Sequence, residues 1–258
     1  MPVSFKTKEE IKVLKEGGKK LSLILGELLK EVKPGVSAFS LELKARELIK
    51  KIGGRPSFLN YRPDHTSKPF PAALCVSVNS VVVHGVPKKA LVFKEGDLVT
   101  LDIGMEYKGL FTDVAYTLNL GNKDKKVIKL LKTVRQALKK AIKEAKVGNY
   151  LGDISFVIGE TIKKAGFFPV CELTGHGVGY AVHEEPYVFN CGKRKTGPKL
   201  EDGLVLALEP MAGIGTGKVI ELADDSFRIT DGSLSAHFEQ TIAITKKETI
   251  IITPFFWE

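Results

Sequence analysis

ETIKKAG, residues 160–166, repeats ELIKKIG, residues 47–53, at a shift of 113 positions, with Glu, Ile, two Lys and Gly in common. Gly35 and Gly148 fall at the same shift. Further along, HGVP (84–87) and HEEP (183–186) both read H-x-x-P, and VTLD (99–102) and LALE (206–209) are both apolar runs ending in an acid. One match is chance; several in the same order point to two related halves, about 8–120 and 123–245.

The local signals in each half agree. Residues 8–32 read as a helix, with Thr7 and Glu10 as a capping box and apolar residues at Ile11, Leu14, Leu21, Ile24, Leu25 and Leu28. A second helix follows the cap Ser37 and stops at Gly53-Gly54. Strands are expected in ALCVSVNSVVVHG (73–85), DLVTLDIG (97–104) and FTDVAYTLNL (111–120), the last two joined by a turn at Lys108-Gly109. The second half reads as helices 123–146 and 151–165, then strands around 168–173, 203–209, 217–222 and 236–245. Halves of this kind pack about a pseudo-two-fold axis, and their shared cleft receives equivalent residues: His84 with His183, Asp102 with Glu209.

Composition bounds the class. The chain of 258 residues is 43% hydrophobic and 27% charged, ordinary for a globular protein with a substantial core. No apolar run approaches the roughly 18 residues of a membrane helix, and the polar start MPVSFKTKEE predicts no secretion leader. The three cysteines, Cys75, Cys171 and Cys191, have no CxxC spacing, so neither a disulfide framework nor a thiolate zinc site is expected, and a reducing cytoplasm fits. The net charge of +9 collects in stretches such as 125–146. Such runs are usually solvated helix faces; the alternative is attraction to a polyanion such as ribosomal RNA.

The chemistry lies in acids inside apolar strands: Asp102 ending LVTLD, Asp113 in GLFTDVAYTL, Glu209 ending LVLALEP and Glu239 in AHFEQTIAI. Buried carboxylates are costly unless paired or metal-bound, and no matching arginines share these strands. Asp102 and Asp113 sit on neighbouring strands and can reach one face. GHGVGYAVHEEP (175–186) adds His176 and His183, two of only five histidines. Four carboxylates with an imidazole suit Mn, Fe(II), Co or Zn, and four negative charges balance two divalent ions. Of the other histidines, His65 lies in a polar loop, and His237 shares a strand face with Glu239 by period-2 alternation.

The ordered set His84 in VNSVVVHGVP, Asp102 in LDIG, Asp113 in FTDVA, His176 and His183 in TGHGVGYAVHEEP, Glu209 in LALEP and Glu239 in SLSAHFEQT resembles the type I methionine aminopeptidases over about residues 4–250. Glu209 and Glu239 are thirty residues apart, without the insertion of the type II enzymes, so the chain resembles the short bacterial form. The resemblance implies an α+β pita-bread fold in one catalytic domain, 1–258. It implies metal-activated hydrolysis that removes the initiator methionine of nascent chains when the second residue is small, by a cytoplasmic monomer working near the ribosome. Asp102 would chelate one ion, Asp113 and Glu239 bridge two, and His176 and Glu209 complete the other; Glu209 would also shuttle protons. His183 would stabilise the tetrahedral intermediate, and His84 would position substrate. Phe58, Tyr61, Cys75 and Val182 would line the methionine pocket, and Asn79, Val81 and Ser235 would offer oxygens to a monovalent cation.

Two departures bear on the pocket. A tryptophan that often precedes SLSA in this family is missing, the only Trp being Trp257, and Phe227 is a candidate substitute; the segment 61–74 is longer than usual. Two other readings remain: an Xaa-Pro aminopeptidase or prolidase, whose added N-terminal domain is not seen here, and a non-catalytic pita-bread binding protein, which would have lost metal ligands. Metal content and a Met-Ala-Ser against Ala-Pro peptide assay separate the three.

Overall fold

The computed structural model describes residues 3–62 and 68–256; His65 and Trp257 lie outside them. Elements run in the order α1 (Lys8–Glu31), α2 (Ala38–Lys51), β1 (Arg55–Pro56), β2 (Leu74–Val78), β3 (Val81–Val83), β4 (Leu98–Tyr107), β5 (Leu110–Asn119), α3 (Lys125–Glu144), α4 (Leu151–Lys164), β6 (Phe168–Pro169), β7 (Thr174–Gly177), β8 (Glu184–Phe189), β9 (Val205–Leu208), β10 (Met211–Gly213), β11 (Val219–Glu221), β12 (Phe227–Ile229), β13 (Ser235–His237), β14 (Glu239–Ile244) and β15 (Thr249–Ile251).

The helices follow from their caps and stripes. Thr7 and Glu10 form the capping box: the Glu10 N–H donates to Thr7 Oγ1 at 3.2 Å, and the Thr7 N–H to Glu10 Oε2 at 2.7 Å. In α1, Leu14, Leu21, Leu25 and Leu28 are buried along one face. In α3, Val127, Leu130, Val134, Ala137, Leu138 and Ala141 face inward, while Lys125, Lys126, Lys129, Lys132, Lys139 and Lys140 are exposed. The basic run is therefore a solvated helix face.

A nine-stranded antiparallel sheet spans the molecule in the order β1-β4-β5-β14-β9-β7-β8, with β2 on β4 and β15 on β14. One core lies between α1, α2 and strands β2 and β4 (Leu21, Leu25, Ile49, Val76, Leu101). A second lies between α3, α4 and strands β9 and β14 (Leu130, Val134, Ile158, Leu206, Ile242). Tyr116 and Phe255 pack against both. The β4–β5 hairpin turns at Lys108 (φ 53°) and Gly109 (φ 81°), two consecutive left-handed residues as a tight hairpin requires.

Three local expectations are corrected. The stretch 73–85 is two strands, not one, broken where Asn79 takes φ 59° and sends β3 to pair with β12 in a separate small sheet. The expected strand at 168–173 is only Phe168–Pro169, and the better-formed strand β7 carries GHG instead. Cys171 and Cys191 form a disulfide, with Cα atoms 5.2 Å apart. Sequence spacing hid this pair because the β7–β8 hairpin, which pairs Thr174 with Phe189, brings the two flanking cysteines together. Cys75 is free and buried.

Candidate active site

Strand register assembles the site. Asp102 pairs with both Cys75 on β2 and Ala115 on β5, and Ala115 pairs with Glu239 on β14. Paired residues share a sheet face, so one row reads Cys75, Asp102, Ala115, Glu239 across four strands. Ala115, with only a methyl group, leaves open space between the two acids. Asp113 is two residues from Ala115 and shares its face. Glu209 follows Leu208, the partner of Gln240, and so lies across from Glu239. His176 enters from β7, opposite Ala207.

Among the described residues, Asp113, His176 and Glu239 offer ligand atoms within 4.8 Å of one another, all buried. His176 Nε2 is 3.5 Å from Glu209 Oε1. The His176 tautomer is fixed: Nδ1 lies 2.8 Å from the Gly177 carbonyl, which can only accept, so Nδ1 carries the proton and Nε2 presents its lone pair. The glycines on either side make this approach possible. A Cβ at Gly175 would sit 2.4 Å from the Ala207 carbonyl oxygen, and one at Gly177 would sit 2.4 Å from that of Glu185.

The electrostatics call for a cation. Burial pushes Asp102 and Glu209 up to about 7. It pushes Asp113 and Glu239 well above the carboxylate range, and the neighbouring acids push further. Asp102 and Asp113 stand on neighbouring strands, two residues out of register. Asp102 Oδ1 and Glu239 Oε1 are buried without a hydrogen-bond partner. Orphaned oxygens on crowded, buried acids fit divalent metal, which supplies the charge that the protein withholds.

Beside the acids, Phe58, Cys75 and Val182 form a small buried cluster, with Tyr61, Phe70 and Phe111 packed on it. All four pocket residues expected from the sequence thus meet. Phe70 and Phe111 were not anticipated, although Phe111 is two residues from Asp113 on the same strand face. Gly104, opposite Asp113, makes room for Phe58: a Cβ there would meet the ring at 2.7 Å. Burial and the nearby acids hold the Cys75 thiol well up, so it packs in this cluster as a neutral group.

His183 touches both the apolar cluster, through Tyr61, and His176. Its Nδ1 is 2.9 Å from the Tyr61 hydroxyl, and its ring is edge-on to His176 with centroids 4.4 Å apart. Glu184 holds the loop before it, accepting from the Tyr180 and Ala181 N–H groups and from Ser4 and Lys6. His84 is exposed at φ 59°, an uncommon backbone state for a non-glycine residue. The next residue, Gly85, accepts from the Val76 N–H at 2.8 Å, which puts His84 at the rim beside Cys75. Phe227 lies edge-on to His84, 5.8 Å between centroids. Ser235 Oγ donates toward the Asn79 and Val81 carbonyls at 2.9 and 3.3 Å, so these three residues converge.

Residues 12–246 match metallopeptidase family M24. A methionine aminopeptidase of Aquifex aeolicus is 43% identical over 98% of this chain and 99% of its own length. The chain belongs to the methionine aminopeptidases of family M24. A Bacillus subtilis methionine aminopeptidase is 40% identical over 96% of the chain and 98% of its own. The crystal structure of the Thermotoga maritima methionine aminopeptidase superposes with a TM-score of 0.93 at 40% identity, covering 97% of this chain and 99% of that one. A Pyrococcus horikoshii prolidase is 23% identical with a TM-score of 0.74; the chain covers 63% of it, and that likeness is one of fold alone. The curled antiparallel sheet with its two helix pairs is the pita-bread fold expected for a methionine aminopeptidase. No described helix is long and apolar enough to cross a membrane.

Proposed function

We propose that this protein removes the amino-terminal methionine from nascent polypeptides whose second residue is small. The observation that carries this reading is the row Cys75, Asp102, Ala115, Glu239, which sets the apolar cluster around Cys75 directly beside the buried acids. Asp102, Asp113, His176, Glu209 and Glu239 would hold two divalent ions, from Mn, Fe, Co and Zn; such ions activate a water and polarise the scissile carbonyl.

The chain's own groups do the rest. The cluster of Phe58, Tyr61, Cys75 and Val182 takes an unbranched thioether and rejects a charged first side chain, which would be buried unpaired. With Tyr61 donating to Nδ1, His183 carries its proton on Nε2 and donates it to the oxygen that gains charge. Glu209 holds the proton released by the water and passes it to the departing amine. His84 positions the peptide beyond the cleaved bond. Asn79, Val81 and Ser235 offer oxygens to a monovalent cation.

The same reading takes residues 1–258 as one catalytic domain built of two related halves, acting in the cytoplasm as a monomer. The lysine face of α3 suits work near the ribosome.

The test is a set of Met-X-Ser tripeptides with Leu-, Lys- and Ala-Pro-initiated controls, run across Mn, Fe, Co and Zn. Cleavage is expected for X of Gly, Ala, Ser, Pro, Thr, Val or Cys and not for Leu, Lys or Phe. Preference for Ala-Pro over Met-Ala would move the chain to the prolidase activity.

A further inference from the structure

His237 is 1% exposed, and neither of its ring nitrogens has a hydrogen-bond partner. Its Nε2 lies 3.5 Å from Glu209 Oε2, while His176 Nε2 lies 3.5 Å from Glu209 Oε1. One carboxylate is therefore flanked by two imidazoles, one at each oxygen. His176 has its Nδ1 proton committed to a carbonyl and turns a lone pair inward. Nothing commits His237 in that way.

The backbone of His237 is pinned. Its N–H donates to Thr117 Oγ1 at 2.9 Å, and Thr117 Oγ1 donates to its carbonyl at 2.7 Å. The Thr117 proton being thus used, the Thr100 hydroxyl, 2.8 Å away, donates to Thr117. Two threonines on adjoining strands fix the position from which the ring reaches the cluster.

We propose that His237 is a positioning residue: its Nε2–H, 3.5 Å from Glu209 Oε2, closes on that oxygen once the ion is held and so turns Oε1 toward the ion that Glu209 would share with His176. This rests on the metal-centre reading of the site. A carboxylate free to rotate presents either oxygen, whereas one tethered at Oε2 presents a single lone-pair direction. Supporting hydrogen bonds of this kind change metal affinity by about 10–100-fold when removed.

The experiment titrates the metal-free full chain with Co(II), following heat and visible absorption, for wild type, His237→Leu and His237→Gln. Binding by wild type establishes the metal centre; no binding defeats that reading before His237 is at issue. His237→Leu is expected to weaken one Co(II) equivalent about 10–100-fold and alter its absorption bands. His237→Gln, which keeps an N–H donor, should restore both. A folded His237→Leu protein with wild-type affinity and spectrum overturns the proposal.

The wild-type protein gives a second test that does not depend on His237→Leu folding. Long-range proton–nitrogen NMR of the imidazoles on loading with Zn(II), the His237 signal assigned with His237→Gln, should show a protected Nε2–H. Loss of that proton on loading would make His237 a ligand and overturn the positioning role.

Discussion

At the residue scale, the proposed roles of the acids and imidazoles can be separated by substitution. Glu239 has a buried oxygen with no hydrogen-bond partner and sits across Ala115 from Asp102. Glu239→Gln keeps the volume but removes the charge, so the protein should lose one metal equivalent and most of its turnover. Elemental analysis after dialysis, beside the peptide assay, decides this; full metal content with near-native turnover contradicts the bridging role. His183 leans on Tyr61 and sits edge-on to His176. His183→Ala should keep its metal while turnover falls about 10²–10³-fold, the scale for one oxyanion donor. A metal affinity that falls as far as in His176→Ala would mean the two histidines have been assigned the wrong way round.

At the element scale, the loop carrying His183 is anchored from the amino-terminal segment. Lys6 and Glu184 form a buried pair at 2.6 Å. The partners respond differently to burial. Burial lowers Lys6, its desolvation outweighing the hydrogen bond and charge of Glu184 and the charge of Glu10. Glu184 is also opposed by burial, but the bonds from Lys6 and Ser4 and the loop N–H groups outweigh it and hold the carboxyl below 4.5. Four donors converge on the Glu184 carboxylate. Lys6→Met should destabilise the fold by about 3–5 kcal/mol, the scale for breaking a buried pair, read as a shift in urea midpoint. Because the folded Glu184 carboxyl lies below its unfolded value, its contribution is complete above pH 4.5 and is lost as pH falls through the folded value. The difference between wild type and Lys6→Met should therefore shrink below pH 4.5; a difference constant down to strong acid contradicts the pairing.

At the scale of the whole molecule, the cleft joins two separately cored halves through the central strands. Acids on β4, β5 and β14 and Glu209, just after β9, lie there, so an ion held by all of them would tie the halves together. Ligand that binds only the folded state adds about 2.7 kcal/mol at a hundredfold excess over Kd. Removing metal with a chelator should thus lower Tm by about 5–11 °C, at about 2–4 °C per kcal/mol for a chain of this size. Calorimetry with and without chelator, then with Mn(II) restored, measures it, and an unchanged Tm denies the ion this role.

Much of this protein was determined by short-range pattern. Caps, amphipathic stripes and the Lys108-Gly109 turn depend on neighbours within a few residues, so Thr7, Ser37 and the helices they start were legible. The buried acids Asp102, Asp113, Glu209 and Glu239 and the GHG histidine His176 were legible as a cluster too, because charge inside an apolar strand is costly and stands out. The disulfide, Phe70 in the pocket and the buried Lys6–Glu184 pair were not, since each depends on which distant segments meet. His237 lies between these cases. Alternation placed it on the face of Glu239, but only the break at Phe238, with β13 and β14 in different sheets, turned its ring onto Glu209. Sequence determines what each segment prefers, from forces acting over a turn or a pleat; the tertiary structure alone decides which side chains converge, because strand register across the sheet is set by the packing of the whole.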